Sequence, residues 1–251
     1  MPIKPVENQR LYRQIAVQLS ELITSGEFPA GGRLPSERDL AVQLGVSRPS
    51  VREALIALEI EGKVEVRVGA GIYVAHGRPV VLPDLTREGQ GPFELLRARW
   101  LIEGETAAEA ARHGTSGELA RVHDAIVDMQ KRLQQGRDLD PADRAFHLAI
   151  AKATHNSLLF SVIRELWDQG RGLIWKRMEH HFQTLELRTA VLRGHRAILE
   201  ALKARDAHKA RSAMRHHLDG VIRVFAKGDL ARPQSDRATS ASEARHGVHQ
   251  R

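Results

Sequence analysis

The 251-residue sequence contains no cysteine, and that single absence excludes disulfides, thiolate nucleophiles, iron–sulfur clusters and every cysteine-ligated zinc finger. A reducing compartment fits such a chain, and a cytoplasmic location is expected. Aromatic residues make up only 4%, which argues against a binder of single strands that stacks bases on rings. No apolar run approaches the roughly 18 residues of a membrane span, so no bilayer crossing is expected. Met1–Arg10 lacks the apolar core of a secretory signal. What is present is 42% hydrophobic and 27% charged, enough for a real core in one large domain or two modest ones.

The net charge of +7 invites a nucleic-acid partner, but its distribution does not place one. Residues 1–76 hold nine Lys/Arg and nine Asp/Glu, residues 77–170 sum to −2, residues 171–225 to +7 and residues 226–251 to +2. Any DNA site must therefore come from arrangement rather than bulk charge.

Leu11, Ile15, Leu19, Leu22 and Ile23 recur at three- and four-residue steps, the pattern of a helix with one buried face. It ends at Ser25-Gly26, and Pro29-Ala30-Gly31-Gly32 reads as a turn. Ser36 then caps a second helix in a capping-box arrangement with Asp39. Ala41 and Gly45, four apart with Leu40, Leu44, Val46 and Val51 around them, give the small residue, tight turn and apolar flanks of a helix-turn-helix. Ser47 caps the next helix, and Pro49 falls in its first turn, where a missing N–H costs little. Arg48 and Arg52 share a face near its N-terminus, where a recognition helix meets base edges. Arg38 stands where it could contact phosphate or base. After Gly62 the period becomes two: Val64, Val66 and Val68, a turn at Gly69-Ala70-Gly71, then Ile72 and Val74, which is a β-hairpin. An isolated pair of arginines is more often a solvated helix face, but helix, helix-turn-helix and hairpin in this order point to DNA.

The runs Leu34-Pro35-Ser36-Glu37-Arg38-Asp39-Leu40-Ala41, Ser47-Arg48-Pro49-Ser50-Val51-Arg52-Glu53-Ala54-Leu55 and Val66-Arg67-Val68-Gly69-Ala70-Gly71-Ile72-Tyr73-Val74 resemble the GntR superfamily of bacterial regulators. The resemblance implies a winged helix-turn-helix over residues 8–75 that binds double-stranded operator DNA. It implies DNA contacts at Arg38, Ser47, Arg48 and Arg52, with the wing tip near Gly71 entering the minor groove.

Residues 76–91 carry no apolar period and read as a linker. From Pro92 the sequence is helical almost throughout, with helices expected at about 92–112, 116–135, 141–154, 157–182, 186–204 and 206–228. The segment 231–251 has no periodic face and is expected to be disordered. Within the helices Asp143 and His147 stand four apart on one face, and His195 and His217 sit on later helices beside apolar neighbours. One carboxylate and three imidazoles converging inside a helical bundle would hold a divalent ion, with zinc, nickel, cobalt or manganese suiting nitrogen and oxygen ligands. Thirteen histidines are present, and spacing alone nominates His180, His181 and His216 equally well.

The runs Asp143-Arg144-Ala145-Phe146-His147-Leu148-Ala149-Ile150, Ala153-Thr154-His155-Asn156, His195-Arg196-Ala197-Ile198-Leu199 and Ala213-Met214-Arg215-His216-His217-Leu218 resemble the C-terminal domain of the FadR-type (FCD) subfamily. The resemblance implies an all-α metal- and effector-binding, dimerising domain over residues 92–230. It implies a metal, zinc first among the candidates, on Asp143, His147, His195 and His217, and an effector pocket faced by Arg99 and Asn156. The metal-free acyl-CoA branch is not the one matched. Gly91-Pro92-Phe93-Glu94-Leu95-Leu96, the run Phe146 to Ser157 and the wing are similar to hexuronate-responsive repressors. The expectation is therefore a mainly α, homodimeric, non-enzymatic repressor controlled by a small sugar acid. The alternatives weighed are a metal-dependent hydrolase or lyase using the Asp/His site, and a DNA-binding protein with a purely structural metal.

Overall fold

In the computed structural model, residues 10–67, 70–76, 91–169 and 172–227 are described. They fall into two compact units divided after Val81. The expected linker (76–91, apart from its two ends) and the expected disordered segment (231–251) lie outside the described residues, as do Val68 and Gly69 of the hairpin.

The first unit runs α1 (Leu11–Thr24), α2 (Glu37–Leu44), α3 (Arg48–Ile60), β1 (Val64–Arg67) and β2 (Gly71–Val74). Each boundary has a local cause. The Ser36 side chain accepts from the Asp39 amide at 3.2 Å, and Ser47 accepts from the Ser50 amide at 3.3 Å, satisfying orphan N–H groups of α2 and α3. Between them Gly45, at φ 64°, makes the left-handed turn that ends α2 and sets the crossing. The strands pair antiparallel with Val64 opposite Val74 and Arg67 opposite Gly71. The stretch before α2 adds to this ribbon, the Leu34 amide donating to Ile72 O at 2.8 Å. Tyr12, Ile15, Ala16 and Leu19 of α1 pack with Leu40, Val51, Leu55, Leu58, Val64 and Ile72 as the buried core. The buried stripe of α1 is thus rotated from the expected one. Leu11 is 50% exposed, and Tyr12 with Ala16 takes the inward positions.

The second unit is helical throughout: α4 (Pro92–His113), α5 (Ser116–Gln134), α6 (Asp140–Lys152), α7 (Ser157–Gln169), α8 (Leu173–Phe182), α9 (Leu185–Lys203) and α10 (Ala207–Lys227). The expected single helix over 157–182 is two helices. Gly172, extended at ψ 174°, stands at the start of the second, and a glycine in a helix interior costs about 1 kcal/mol relative to alanine. The start expected at Ser116 is capped one residue earlier. Thr115 accepts from the Glu118 amide while the Glu118 carboxylate accepts from the Thr115 amide, a reciprocal capping box. Helix α6 likewise starts at Asp140, with Leu139 at the cap. Ala107, Ala108, Ala110 and Ala111 of α4 are fully buried. This small-residue face lets α10 lie close against α4 along much of its length, and α9 packs beside α10. Phe146, Ile150, Met129, Ile198 and Leu202 fill the interior, and α6 and α9 meet there with α5 behind them. No helix among the described residues is long and apolar enough to cross a membrane.

Candidate metal and effector site, and the DNA-reading face

Helix α6 delivers Asp143 and His147 one turn apart to the interior, α9 delivers His195 and α10 delivers His217. The three imidazoles are buried and offer ring nitrogens all within 4.8 Å of one another. Ring centroids of His195 and His217 stand 4.3 Å apart, and those of His147 and His217 5.7 Å apart. Asp143 Oδ1 lies 3.2 Å from His195 Nε2 and 3.5 Å from His147 Nε2. Asp143 Oδ1 and both ring nitrogens of His195 are buried without a well-aligned hydrogen bond. Buried polar atoms left this way are costly in a protein interior, and a cation on them would remove the cost. The nitrogen and oxygen donor set therefore fits a divalent ion. His216 lines an outer groove between α9 and α10, and His180 and His181 lie on α8; none joins this cluster.

Electrostatics favours the ligating forms of Asp143, His195 and His217, whereas at His147 burial is outweighed by the charges of Glu103 and Asp143, which raise the pKa. Burial works against the Asp143 charge, but the neighbouring imidazoles of His147 and His195 outweigh it and hold the carboxyl well below its usual range. Burial lowers the His195 pKa, with Asp143 opposing. Burial, reinforced by His195 and His147, pushes His217 well below the ordinary imidazole value. A neutral imidazole is the form that binds metal.

Behind His147 stands a residue the sequence analysis did not nominate. Glu103, 2% exposed on α4, sets Oε2 against His147 Nδ1 and accepts a 2.6 Å bond from Arg99 Nε through Oε1. Burial alone would raise the Glu103 pKa, but Arg99 and then His147 outweigh it and bring it to about 2. The contact orients the ring so that Nδ1 faces Glu103 and Nε2 faces Asp143. Its only signal in the sequence was the four-residue Arg99–Glu103 spacing. Arg99 is 5% exposed, its guanidinium lies 4.0 Å from the Trp167 ring centre, and one terminal nitrogen is 3.5 Å from His147 Nε2.

A 60 Å³ cavity adjoins the cluster, lined by Arg99, Asp143 and His217 on one side and by Trp175, Glu179 and Arg188 among others. Arg99 is thus brought to the cavity as expected. Asn156 is not: its carboxamide oxygen caps α7, accepting from the Leu158 and Leu159 amides at 3.0 and 3.1 Å, and it lines a separate surface pocket with Glu109 and His113. The capping residue that α7 needs accounts for it fully.

On the first unit, Arg38 and Ser47 are exposed, and the Arg48 side chain is 44% exposed at the start of α3. Arg52 differs from the expectation. It is fully buried, and its Nε donates to Glu37 Oε1 at 2.8 Å while a terminal nitrogen grips the other carboxylate oxygen. Glu37, 7% exposed, opens α2 and requires a counter-charge, with Arg48 at 3.7 Å contributing from its other side. Arg48 and Arg52 do share a helix face, as their spacing says, but α2 covers the second. At the hairpin tip Gly71 has φ 114°, and a Cβ there would stand 2.8 Å from Arg33 Nε. Arg33 is exposed and had no sequence signal.

Comparison with known proteins assigns both units. Residues 11–74 match "Bacterial regulatory proteins, gntR family" and residues 94–220 match the FCD domain. The chain is 39% identical over 220 residues to the Uxu operon transcriptional regulator of Escherichia coli (strain K12), covering 85% of this chain and 86% of that one. It is 38% identical to the Exu regulon transcriptional regulator of the same strain over 86% and 84% of the two chains. It is 32% identical to that strain's Putative L-lactate dehydrogenase operon regulatory protein over 97% and 96%. These relatives are regulators and not enzymes, so the hydrolase or lyase alternative falls. The chain belongs to the gntR family of bacterial regulatory proteins with an FCD domain, and it is a DNA-binding transcription regulator.

Proposed function

We propose that the protein is a homodimeric repressor in which a winged helix-turn-helix, residues 8–75, reads an operator half-site and a sensor, residues 92–230, binds a small sugar acid beside a divalent ion, the two joined by the linker 76–91. The observation that carries this reading is the cavity lying directly against the Asp143, His147, His195 and His217 cluster. A purely structural site would have no reason to adjoin one. These four residues would hold the ion, zinc being the first candidate, and the ion would supply a Lewis-acidic centre for ligand oxygens. A hexuronate is favoured by the resemblance of the Phe146 to Ser157 run and by relatives named as Uxu operon and Exu regulon regulators. The relative named for an L-lactate dehydrogenase operon keeps the class at small hydroxy acids.

The chain's own residues supply the rest. Glu103 holds His147 in one orientation, and Arg99, stacked on Trp167, presents positive charge to the cavity. The cavity has room for only a few waters, so a sugar acid enters by displacing lining side chains of α8 and α9. Movement of α9 and α10, which carry His195 and His217, is then transmitted through the linker to the DNA-reading unit. Operator and effector oppose each other reciprocally, because the coupling is one shared free energy. At the operator, Arg48 makes the base-edge contact and Arg38 a contact to base or phosphate, with Ser47 and the Gly71 tip against the backbone and minor groove.

Fluorescence anisotropy of the full chain on DNA from upstream of its own gene tests this. Glucuronate, galacturonate, fructuronate, glucarate and lactate are titrated with and without prior chelation. Release of DNA by one of them from the metal-loaded protein alone is the expected result. Release that is indifferent to chelation and to His195→Ala overturns the sensing site.

A further inference from the structure

Two hydrogen-bond donors among the residues that line the cavity have nothing to donate to. Arg188 Nε of α9 and Trp175 Nε1 of α8 are both buried with no acceptor within reach, and both residues line the cavity. Arg188 is half-buried, its one hydrogen bond goes to the Arg137 carbonyl oxygen, and it makes no ion pair among the described residues. Arg99, which also lines the cavity, already has an ion-pair partner in Glu103. Asp140, Glu179 and Gln183 line the same space and can accept from hydroxyl groups. A buried donor without an acceptor is costly, so two that line one cavity call for an acceptor-rich group within it.

We propose that Arg188 and Trp175 form the anion-recognising wall of the effector site, and that the effector presents a carboxylate to α8 and α9 while its hydroxyl or oxo oxygens face the metal cluster. This rests on the sensing role proposed above and narrows it. The ligand is an acid whose carboxylate stands apart from the oxygens at the metal end, with hydroxyls between for Asp140 and Glu179. A neutral sugar of the same shape would leave Arg188 without its counter-charge. A guanidinium and an indole N–H together can grip both oxygens of one carboxylate.

The test is calorimetric titration of the full-length, zinc-loaded protein with galacturonate, glucuronate and lactate, and with the neutral sugars galactose and glucose. The wild type is expected to prefer an acid over its neutral counterpart by at least about tenfold. Arg188→Gln is expected to abolish that preference, Arg188→Lys to keep part of it, and Trp175→Phe to weaken acid binding several-fold, with zinc content and melting temperature unchanged in all three. If the wild type binds an acid and Arg188→Gln binds it equally well, the wall is misassigned and the sensing role stands. If the wild type binds operator but none of these acids, the sensing role itself fails and takes this assignment with it. Should Arg188→Gln lose zinc or fail to fold, Arg188→Lys and Trp175→Phe decide: unchanged acid affinity in both overturns the assignment.

Discussion

Gly194 lies in the middle of α9, where alanine would be the better helix former by about 0.5–1 kcal/mol. That gain is set against the contact a methyl group would make with the buried His217, which is present with or without an ion. Gly194→Ala is therefore expected to lower the melting temperature of the apo protein by a few degrees, at the usual rate of about 2–4 °C per kcal/mol for a chain of this size, and to weaken metal binding as well. A Cβ at 194 would stand 2.8 Å from His217 Nδ1 and 3.2 Å from His217 Cβ, against ordinary contact beginning at 3.4 Å. The first deficit is 0.6 Å. The ring cannot escape by rotation alone, because its own Cβ is also too close, so α10 must yield by several tenths of an ångström. Metal–nitrogen distances tolerate only about 0.2 Å. Zinc affinity should fall by about 10- to 100-fold, the range seen when the support of a ligand is disturbed. Differential scanning calorimetry of the chelated protein and a competitive zinc titration measure the two quantities separately. A higher apo melting temperature would mean that His217 and α10 give way freely, and an unchanged zinc affinity would mean that His217 does not need this seat; either result refutes the reasoning.

The remaining expectations concern the other unit and one cap. Arg48→Ala should weaken operator binding by about 1–3 kcal/mol if it grips a base, or reduce the slope of log affinity against log salt by about one if it grips phosphate, as anisotropy across a salt series reads directly. Arg52→Ala should instead unfold the first unit, since it strands the Glu37 carboxylate at a cost of about 3–5 kcal/mol; a urea melt of Arg52→Ala matching wild type would contradict the buried pair. Thr115→Ala should cost about 1 kcal/mol by removing the cap of α5. The Glu118 pKa is lowered to about 2 by the Thr115 amide and hydroxyl and by His155, against the opposing effect of burial. Its depressed value means the contribution is complete above the ordinary carboxylate range and lost as pH falls toward 2. Glu118→Gln should flatten the acid limb of the stability curve, and an acid titration with an unaltered limb would assign that loss elsewhere.

The order of elements was legible because each is written locally. The caps at Ser36 and Ser47, the left-handed glycine at 45 and the switch to period two after Gly62 depend on a few neighbouring residues. The metal-ligand candidates were legible only in part, since a four-residue spacing puts Asp143 and His147 on one face but cannot choose between His216 and His217. That choice depends on the rotation of α10 about its axis, which its packing against α4 sets. Arg52 shows the same limit from the other side: the spacing with Arg48 is real, but whether a face meets solvent depends on what another helix lays over it. Glu103 was missed because its role is defined by a residue 44 positions away, at His147. Asn156 admitted two readings in the sequence, a place near the effector pocket by resemblance and a cap of α7, and the Leu158 and Leu159 amides take it as the cap.

The chain of contacts from Arg99 through Glu103 to His147 has a consequence for how the sensor is loaded. One end faces the cavity and the other fixes a ring at the metal cluster, with a single buried carboxylate in common. Anything that draws Arg99 toward the cavity alters the grip of Glu103 on His147, and by linkage the reverse holds by the same factor. Under the function proposed above, occupancy of the cavity and retention of an ion would form one equilibrium. Metal scarcity would be read by this protein in the same terms as a change in its ligand's concentration.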